Sequence, residues 1–157
     1  MKRFYMCICL AMLNVLFAAK PDVIDIVAQN FKSVGNTTTI TGNVNIKKGK
    51  DILFSDNVIV YTDNARKPIK YEATGNVRFT IVTNDNRELK GKANRLIYNV
   101  KKNEYRLYDN AFVEETGKPN VLHGDEIVLS GNGDYANIVG KKQAPARVTF
   151  TLDKDDK

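Results

Sequence analysis

The side chains that could carry out acid–base or metal chemistry are few in this sequence. His123 is the only histidine, and the two carboxylates that follow it, Asp125 and Glu126, are adjacent in the chain. Neighbouring residues of a strand point to opposite faces, so this pair does not form a two-carboxylate hydrolytic site. A lone histidine also gives neither a catalytic triad nor a set of metal ligands. The sequence therefore predicts a protein that is not an enzyme and holds no metal and no cofactor.

Both cysteines, Cys7 and Cys9, lie in an apolar segment at the start of the chain. A basic beginning is followed by residues 4–19, which are apolar apart from Asn14. This layout predicts a secretory signal peptide at residues 1–19, which leaves an exported chain without cysteines. The apolar run is shorter than the ~20 residues of a membrane-spanning helix, and a retained anchor is the alternative.

The remaining chain has the size and charge of one exported domain, predicted at residues 20–152. Loss of Lys2 and Arg3 leaves 22 basic against 18 acidic residues, so the net charge falls from +6 to +4. This balance, with no aromatic and basic binding motif, argues against nucleic acid as a partner. The charged end, residues 153–157, is predicted to be disordered.

The clearest organisation is repetition. Thr41-Gly42-Asn43-Val44 returns as residues 74–77, an interval of 33 residues, and an edited copy follows at residues 109–113. A second phrase recurs at residues 56–61, 93–98 and 124–129. Each unit is therefore expected to be two short strands with their turns, stacked into an elongated body. Glycine in such a phrase suits a bend or bulge at the start of a strand.

Alternation of apolar and polar residues runs through the chain, and no helical stripe interrupts it. Val77, Phe79 and Ile81 alternate with polar residues, for example. Turn residues recur at short intervals, as at Asn84-Asp85-Asn86 and residues 131–133. The pattern predicts an all-β, antiparallel fold with roughly a dozen or more strands of about four to eight residues.

The order of these phrases resembles the OstA-like family. They stand at residues 41–44, 56–61, 74–77, 89–98, 107–111 and 123–127, and the resemblance covers residues 22–152. It implies a twisted, open-ended antiparallel β-jellyroll whose apolar interior carries the acyl chains of lipopolysaccharide. It also implies location in the periplasm.

The apolar residues placed on that interior, as lipid contacts or as plain core, are read from the alternation and the resemblance. They are Ile24, Ile26, Val44, Ile46, Val58, Val77, Phe79, Ile81, Leu96, Tyr98, Leu107, Val113, Ile127, Leu129, Val148 and Phe150. Basic residues near an edge, Lys32, Lys47 or Arg78, are candidates to meet lipid phosphates.

The partners implied by the resemblance dock at the ends of the stack. They are an inner-membrane LptC-like protein, an outer-membrane LptD-like protein and further copies of the same chain joined end to end. Residues 24–31 are expected to supply the first strand and residues 148–152 the last, because unpaired edge strands invite pairing.

Two other functions stay open at this point, and a third, a small exported enzyme inhibitor or carbohydrate-binding module, ranks last because the chain has no tryptophan for an exposed aromatic platform. A retained apolar start would make the chain an LptC-like, membrane-anchored acceptor of lipopolysaccharide. A fully packed interior would make it a structural β-assembly without lipid binding.

Overall fold

The computed structural model describes residues 23–152, which form a single antiparallel sheet of ten strands. The expected signal peptide, 1–19, and the expected disordered tail, 153–157, lie outside the described residues. The strands are β1 (Ile24–Val27), β2 (Asn30–Val34), β3 (Thr37–Lys48), β4 (Asp51–Thr62), β5 (Pro68–Val82), β6 (Glu88–Asn99), β7 (Glu104–Glu115), β8 (Val121–Ser130), β9 (Ala136–Val139) and β10 (Arg147–Thr149). The all-β prediction is confirmed.

The strands follow one another across the sheet in the order β1-β3-β4-β5-β6-β7-β8-β10. Two short strands complete it, since β2 also pairs with β3 and β9 also pairs with β8. Every pairing is antiparallel. Within residues 23–152, no helix has the length and apolar character needed to cross a membrane.

Each pairing between the long strands β3 to β8 is interrupted near its middle by a break in register. The breaks fall between Thr41 and Val44 of β3, Phe54 and Asn57 of β4, Thr74 and Val77 of β5, Lys92 and Arg95 of β6, and Tyr108 and Ala111 of β7. These breaks are neighbours across the sheet, so they form one continuous line, here called the bend line. β-bulges of this kind bend a strand and increase its twist.

The bend line divides the sheet into two parts. Wall A comprises residues 37–41, 57–62, 68–74, 95–99, 104–108 and 126–130, and wall B comprises residues 44–48, 51–55, 77–82, 88–92, 111–115 and 121–124. Buried side chains from both walls belong to one apolar cluster. The two walls therefore face each other across a shared interior.

The repeated Gly-Asn phrases are the bulges of the bend line. Gly42 and Asn43 have φ angles of 85° and 47°, and Gly75 and Asn76 have φ angles of 81° and 49°. In the edited copy, Asp109 and Asn110 adopt the same left-handed backbone at 61° and 53°. Asn and Asp tolerate this region better than other non-glycine residues, which explains how the third copy works without glycine.

The predicted number and length of the strands were wrong, because the Gly-Asn and Asp-Asn phrases form bulges within strands. Six of the ten strands contain 10 to 15 residues, well beyond the predicted four to eight. Residues that usually mark turns stand at mid-strand, where they make bulges and leave the strand continuous. Gly42 and Gly75 accordingly lie within β3 and β5, and the prediction that such glycines begin strands was wrong.

The close packing at Gly75 accounts for the glycine in the second copy. A Cβ at this position would lie 2.5 Å from Asp56 Oδ2 and 2.9 Å from Asp56 Cβ. The same carboxylate accepts a hydrogen bond of 2.9 Å from Asn76 Nδ2. Glycine thus supplies both the left-handed backbone and the space for a link between β4 and β5.

We expect Gly75→Ala to destabilise the fold more than Gly117→Ala. Both glycines have φ near +80°, but a Cβ at Gly117 meets no atom within 4 Å. Left-handed strain alone costs about 1–2 kcal/mol and applies to both variants. Displacement of Asp56 and loss of its hydrogen bond add about 1 kcal/mol at Gly75 only. Denaturant unfolding of the two variants measures the difference, and equal losses would show that Asp56 moves aside freely.

The two kinds of bulge also decide which residues face the interior. In β3, β5 and β7 the left-handed pair inserts two residues without register partners. Because two is the strand period, odd-numbered or even-numbered residues stay on the same face across the bulge, a property here called parity. Tyr71 and Val77 of β5 are therefore both buried. In the neighbouring, hydrogen-bonded strands β4, β6 and β8, one residue at the same break has no register partner. Parity therefore changes along them, and Ala93 and Leu96 of β6 are both buried although three positions separate them.

Candidate functional site

The interior between the walls is the main candidate site, and it gathers most of the residues predicted for it. Eleven of the sixteen lie in the buried apolar cluster: Val44, Ile46, Val58, Val77, Phe79, Ile81, Leu96, Leu107, Val113, Ile127 and Leu129. Ile26 and Tyr98 are partly buried and pack against it. The structure places these thirteen on the inner face, whereas contact with lipid stays a prediction.

The other three predicted residues lie at the two ends of the sheet and are exposed in the single chain. Ile24 is 38% exposed at the β1 end, although it still lines an interior cavity. Val148 and Phe150 are 51% and 63% exposed at the β10 end, and Phe150 follows the last residue of that strand. In the isolated chain these two side chains are not covered by the interior.

Several interior residues were not among those predicted. They are Ile40, Val60, Tyr71, Ala73, Ala93 and Ala111, all buried in the same cluster. Val60 follows Val58 at the strand period, and Tyr71 and Ala73 alternate with polar residues, so alternation contained a signal for these three. Ala111 shares the parity of Val113 in β7, so it carried the same signal, whereas Ala93 adjoins the bend line in β6, where the change of parity hides the pattern.

An apolar cavity of about 70 Å³ lies within this interior. Wall B contributes Ile46, Leu53 and Phe79, and wall A contributes Ala73 and Leu96. The cavity confirms that the walls meet face to face. Pockets that enclose a drug-sized ligand are about 300–1,000 Å³, so this space is too small for such a ligand unless the walls separate.

Three tyrosines form the aromatic part of the cavity lining on wall A. The rings of Tyr98 and Tyr105 stack with centroids 4.4 Å apart, and Tyr71 lies 6.2 Å from Tyr98. Burial, and after it the nearby charges of Asp51 and Tyr98, raise the pKa of Tyr105 well above its usual 10.0. Asp51 belongs to wall B, so part of this pKa rise comes from a carboxylate of the opposite wall.

Other contacts join the walls at the strand ends that lie away from the bend line, a region here called the seam. The turn after β5 supplies Asn84 and Arg87, and the loop after β8 supplies Asn132 and Gly133. Arg87 Nη2 donates to the Gly133 carbonyl at 3.1 Å, and Asn84 Nδ2 donates to Asn132 Oδ1 at 3.3 Å. These are few and partly exposed contacts. The seam is thus held far more weakly than the bend line, where the backbone is continuous.

Asp85 helps to hold the β5–β6 turn in the form that the seam requires. It accepts hydrogen bonds from Thr83 Oγ1 and from Arg87 Nε, and both lower the pKa of this carboxyl below its usual value. Arg87 is thereby oriented toward Gly133.

Both ends of the sheet expose apolar side chains along strands that are paired on one side only. β1 and β2 lie along β3, one on each wall, and β10 and β9 lie along β8 in the same way. The first edge was predicted as a single strand over residues 24–31. It is instead two strands, because the chain crosses the bend line at Gln29, whose N–H donates to Gly42 O at 3.0 Å.

Exposed large apolar residues are concentrated at these two edges. Ten of the thirteen among residues 23–152 lie there: Val23, Ile24, Val27, Phe31 and Val34 at one end, and Tyr135, Val139, Val148, Phe150 and Leu152 at the other. Edge strands with apolar side chains are templates for pairing with another chain.

Side chains suited to metal binding do not come together within residues 23–152. No group of three or more histidine, cysteine, aspartate or glutamate residues in this part of the chain could hold an ion. His123 is exposed on the outer face of wall B. Asp125 pairs with Lys141 and Glu126 with Arg106, so the two adjacent carboxylates serve separate ion pairs.

Comparison with known proteins identifies a matching family and a solved structure with a similar fold. Residues 25–135 match a family described as LptA/(LptD N-terminal domain) LPS transport protein. Among solved structures, the chain is similar to LptH, the LptA-homologous periplasmic component of the lipopolysaccharide transport device of Pseudomonas aeruginosa. That match has a TM-score of 0.70 and 19% identity and covers 84% of this chain and 96% of LptH. A search of curated proteins found no match.

Proposed function

Because the chain belongs to the LptA/LptD N-terminal domain family of lipopolysaccharide-transport proteins, we propose that it carries lipopolysaccharide through the periplasm. The acyl chains lie between the two walls, and the sugar and phosphate head remains at the seam. The observation that carries this proposal is the continuous apolar interior, which extends from β3 to β8 and receives side chains from both walls.

The cavity is so small that the walls must move before lipid can bind between them. An acyl chain does not fit in about 70 Å³, so the walls must move apart at the seam, where side-chain and turn contacts join them within residues 23–152. Acyl chains then replace the contacts that the walls made with each other. Transfer needs no covalent change in the lipid, which agrees with a transport family and with a role other than catalysis.

Native mass spectrometry of the exported protein, incubated with lipopolysaccharide, tests this proposal. Ala73 is fully buried and lines the cavity, so Ala73→Leu fills the space that the lipid would enlarge. We expect this variant to lose at least about tenfold in affinity for the lipid, equivalent to ~1.4 kcal/mol, measured from the bound fraction below saturation. Ala144→Leu makes the same chemical change in an exposed loop and is expected to bind like the unchanged protein.

Two results would count against lipid in the interior. One is an unchanged adduct in folded Ala73→Leu protein. The other is no adduct in the unchanged protein with lipopolysaccharide in excess, which would favour a structural β-assembly. Phe79→Asp, at a buried position of wall B, offers a second test, provided that circular dichroism shows a folded sheet.

We also propose that the edges join the protein end to end with its own copies and with LptC-like and LptD-like partners. The support is the concentration of apolar side chains along β1, β2, β9 and β10, which leaves both edges ready to extend the sheet. An antiparallel neighbour would cover Val148 and Phe150, which are exposed in the single chain.

The start of the mature chain decides between a soluble carrier and an LptC-like anchored acceptor. We propose that residues 1–19 are removed as a signal peptide. Intact mass of the exported protein checks this directly. A mass that includes residues 1–19 would support the anchored alternative.

A further inference from the structure

The outer surface of wall B carries a polar depression that the lipid interior does not use. It measures about 640 Å³ and lies beside the bend line, where Asp56, Asn76, Arg78, Lys92, Asn94 and Asn110 line it together with Val77 and Ala93. We call it the bend groove. It faces away from the interior, since Arg78 and Lys92 are exposed while the neighbouring Val77 and Ala93 are buried.

Two cations stand directly opposite each other in this groove. Arg78 of β5 and Lys92 of β6 are register partners, and like charges at such positions destabilise a sheet. Among residues 23–152 neither has a carboxylate within ion-pairing distance. Their contacts are with aromatic rings, since Arg78 lies 5.5 Å from the Phe54 centroid and Lys92 lies 5.5 Å from that of Phe112.

Three cations on the outer face of wall A are arranged differently, because each lies close to a carboxylate. Arg95 and Lys70 there lie 3.6 Å and 4.0 Å from Glu72 carboxylate oxygens. Arg106 lies 2.8 Å from Glu104 and 3.4 Å from Glu126. The sheet thus provides acidic partners for these three cations of wall A and none, among residues 23–152, for the opposed pair of wall B.

Three asparagine amides complete the groove. Asn76 and Asn110 have positive φ angles, so backbone geometry explains their residue type, but Asn94 has no such requirement. Asn76 donates to Asp56, whereas the side chains of Asn94 and Asn110 make no hydrogen bond with any residue of the described part of the chain. Their amides, exposed to solvent, can bind the hydroxyl groups of a sugar.

We propose that the bend groove binds a sugar phosphate ester. Arg78 and Lys92 would hold the phosphate with charge-assisted hydrogen bonds, and the phosphate would relieve the repulsion between them. Asn94 and Asn110 would bind the sugar hydroxyls. Asp56 keeps the net charge of the groove at +1 and stays paired with Asn76. Because the groove lies on the outer face, away from the seam, the ester is either in the head group of a lipopolysaccharide molecule other than the one held between the walls or a free sugar phosphate.

Titration of the mature protein with glucosamine 6-phosphate, followed by NMR, tests the proposal. We expect saturable shifts of the side-chain amides of Asn76, Asn94 and Asn110. Arg78→Gln and Lys92→Gln should each weaken binding at least about tenfold. The matched controls, Arg106→Gln and Lys70→Gln on wall A, should leave it unchanged. The probe is soluble and needs no acyl chain, so the outcome is independent of whether the interior carries lipid.

Other ligands identify what is recognised and where it comes from. Glucosamine, without the phosphate, should not bind, and inorganic phosphate should bind at least tenfold more weakly. Displacement of glucosamine 6-phosphate by intact lipopolysaccharide would identify the head group as the source, and lack of displacement would identify a free sugar phosphate. The proposal is overturned if glucosamine 6-phosphate gives no amide shifts at millimolar concentration, if inorganic phosphate binds equally well, or if Arg78→Gln and Arg106→Gln have equal effects.

Discussion

Oxidised protein with Thr83→Cys and Gly133→Cys is expected to take up little or no lipopolysaccharide, and a reducing agent is expected to restore uptake. A Cβ at Gly133 would lie 3.4 Å from Thr83 Cβ, close to the ~3.5–4.5 Å that disulfides span. Thr83 follows β5 on wall B, and Gly133 follows β8 on wall A. The bond would therefore fasten the seam across the two walls. Since the cavity holds only about 70 Å³ with the walls together, fastened walls leave no room for acyl chains.

The Gly133→Cys substitution has two further effects on the seam. The new Cβ would lie 2.5 Å from Arg87 Nη2, so the guanidinium must move and its bond to the Gly133 carbonyl is lost. Gly133 has a φ of 84°, so a cysteine there adds about 1–2 kcal/mol of strain. The two single variants and the reduced double variant carry these costs without the crosslink.

Native mass spectrometry before and after reduction measures the lipid-bound fraction. We expect a loss of at least tenfold on oxidation, reversed by reduction, with the single variants close to the unchanged protein. Equal loading of the oxidised and reduced forms would mean that lipid does not enter by separation of the walls at this part of the seam. The expected mature chain contains no cysteine of its own, so the added pair reports without interference.

Proline at both edges, Ile26→Pro with Thr149→Pro, is expected to abolish end-to-end association. Proline lacks the N–H that a strand offers to a neighbour and is poorly accommodated in paired strands. Ile26 lies in β1 and Thr149 in β10, the first and last strands of the sheet on wall B. Pairing with another chain should therefore fail at both ends, while the six long strands β3 to β8 remain intact.

Sedimentation velocity over a range of protein concentrations measures this effect. We expect the unchanged protein to form larger species as its concentration rises and the double variant to remain a monomer. Lys142→Pro serves as the control, because Lys142 is an exposed residue of the short loop closed by Lys141 and Ala144. Association that persists in a folded double variant would mean that the chains meet through other surfaces, or through β2 and β9 on wall A.

Much of the fold could be predicted from the chain alone because its information is local and repeated. Alternation along Val77, Phe79 and Ile81 states directly which side of a strand is apolar, and the structure buries all three. The order of the repeated phrases indicated the OstA-like family, which the match over residues 25–135 confirms. The strand number was wrong because local rules assign Gly-Asn and Asp-Asn to turns between strands. Only the pairing with neighbouring strands shows that Gly75 and Asn76 stand inside one.

The interior was predicted well in the middle of the sheet and poorly at the bend line and the ends. Alternation along the strand is enough to place Leu107 and Ile127 on the inner face, and both are fully buried. At Ala93 the one-residue bulge changes parity, and no count along the chain reveals this. Val148 and Phe150 carry an apolar pattern like that of buried residues, but no strand within residues 23–152 covers them.

The sequence by itself thus determined the strand character, the apolar face of each strand and the family, because these depend on neighbouring residues in the chain. Tertiary structure alone decided the bend line, the seam and the bend groove. A Cβ at Gly133 would lie 3.4 Å from Thr83 Cβ, and Arg78 pairs with Lys92, although each pair is separated by more than ten residues. The physical reason is that register and bulges set distances across the sheet, and small shifts in register add up over several strands in a way that no single stretch of sequence encodes.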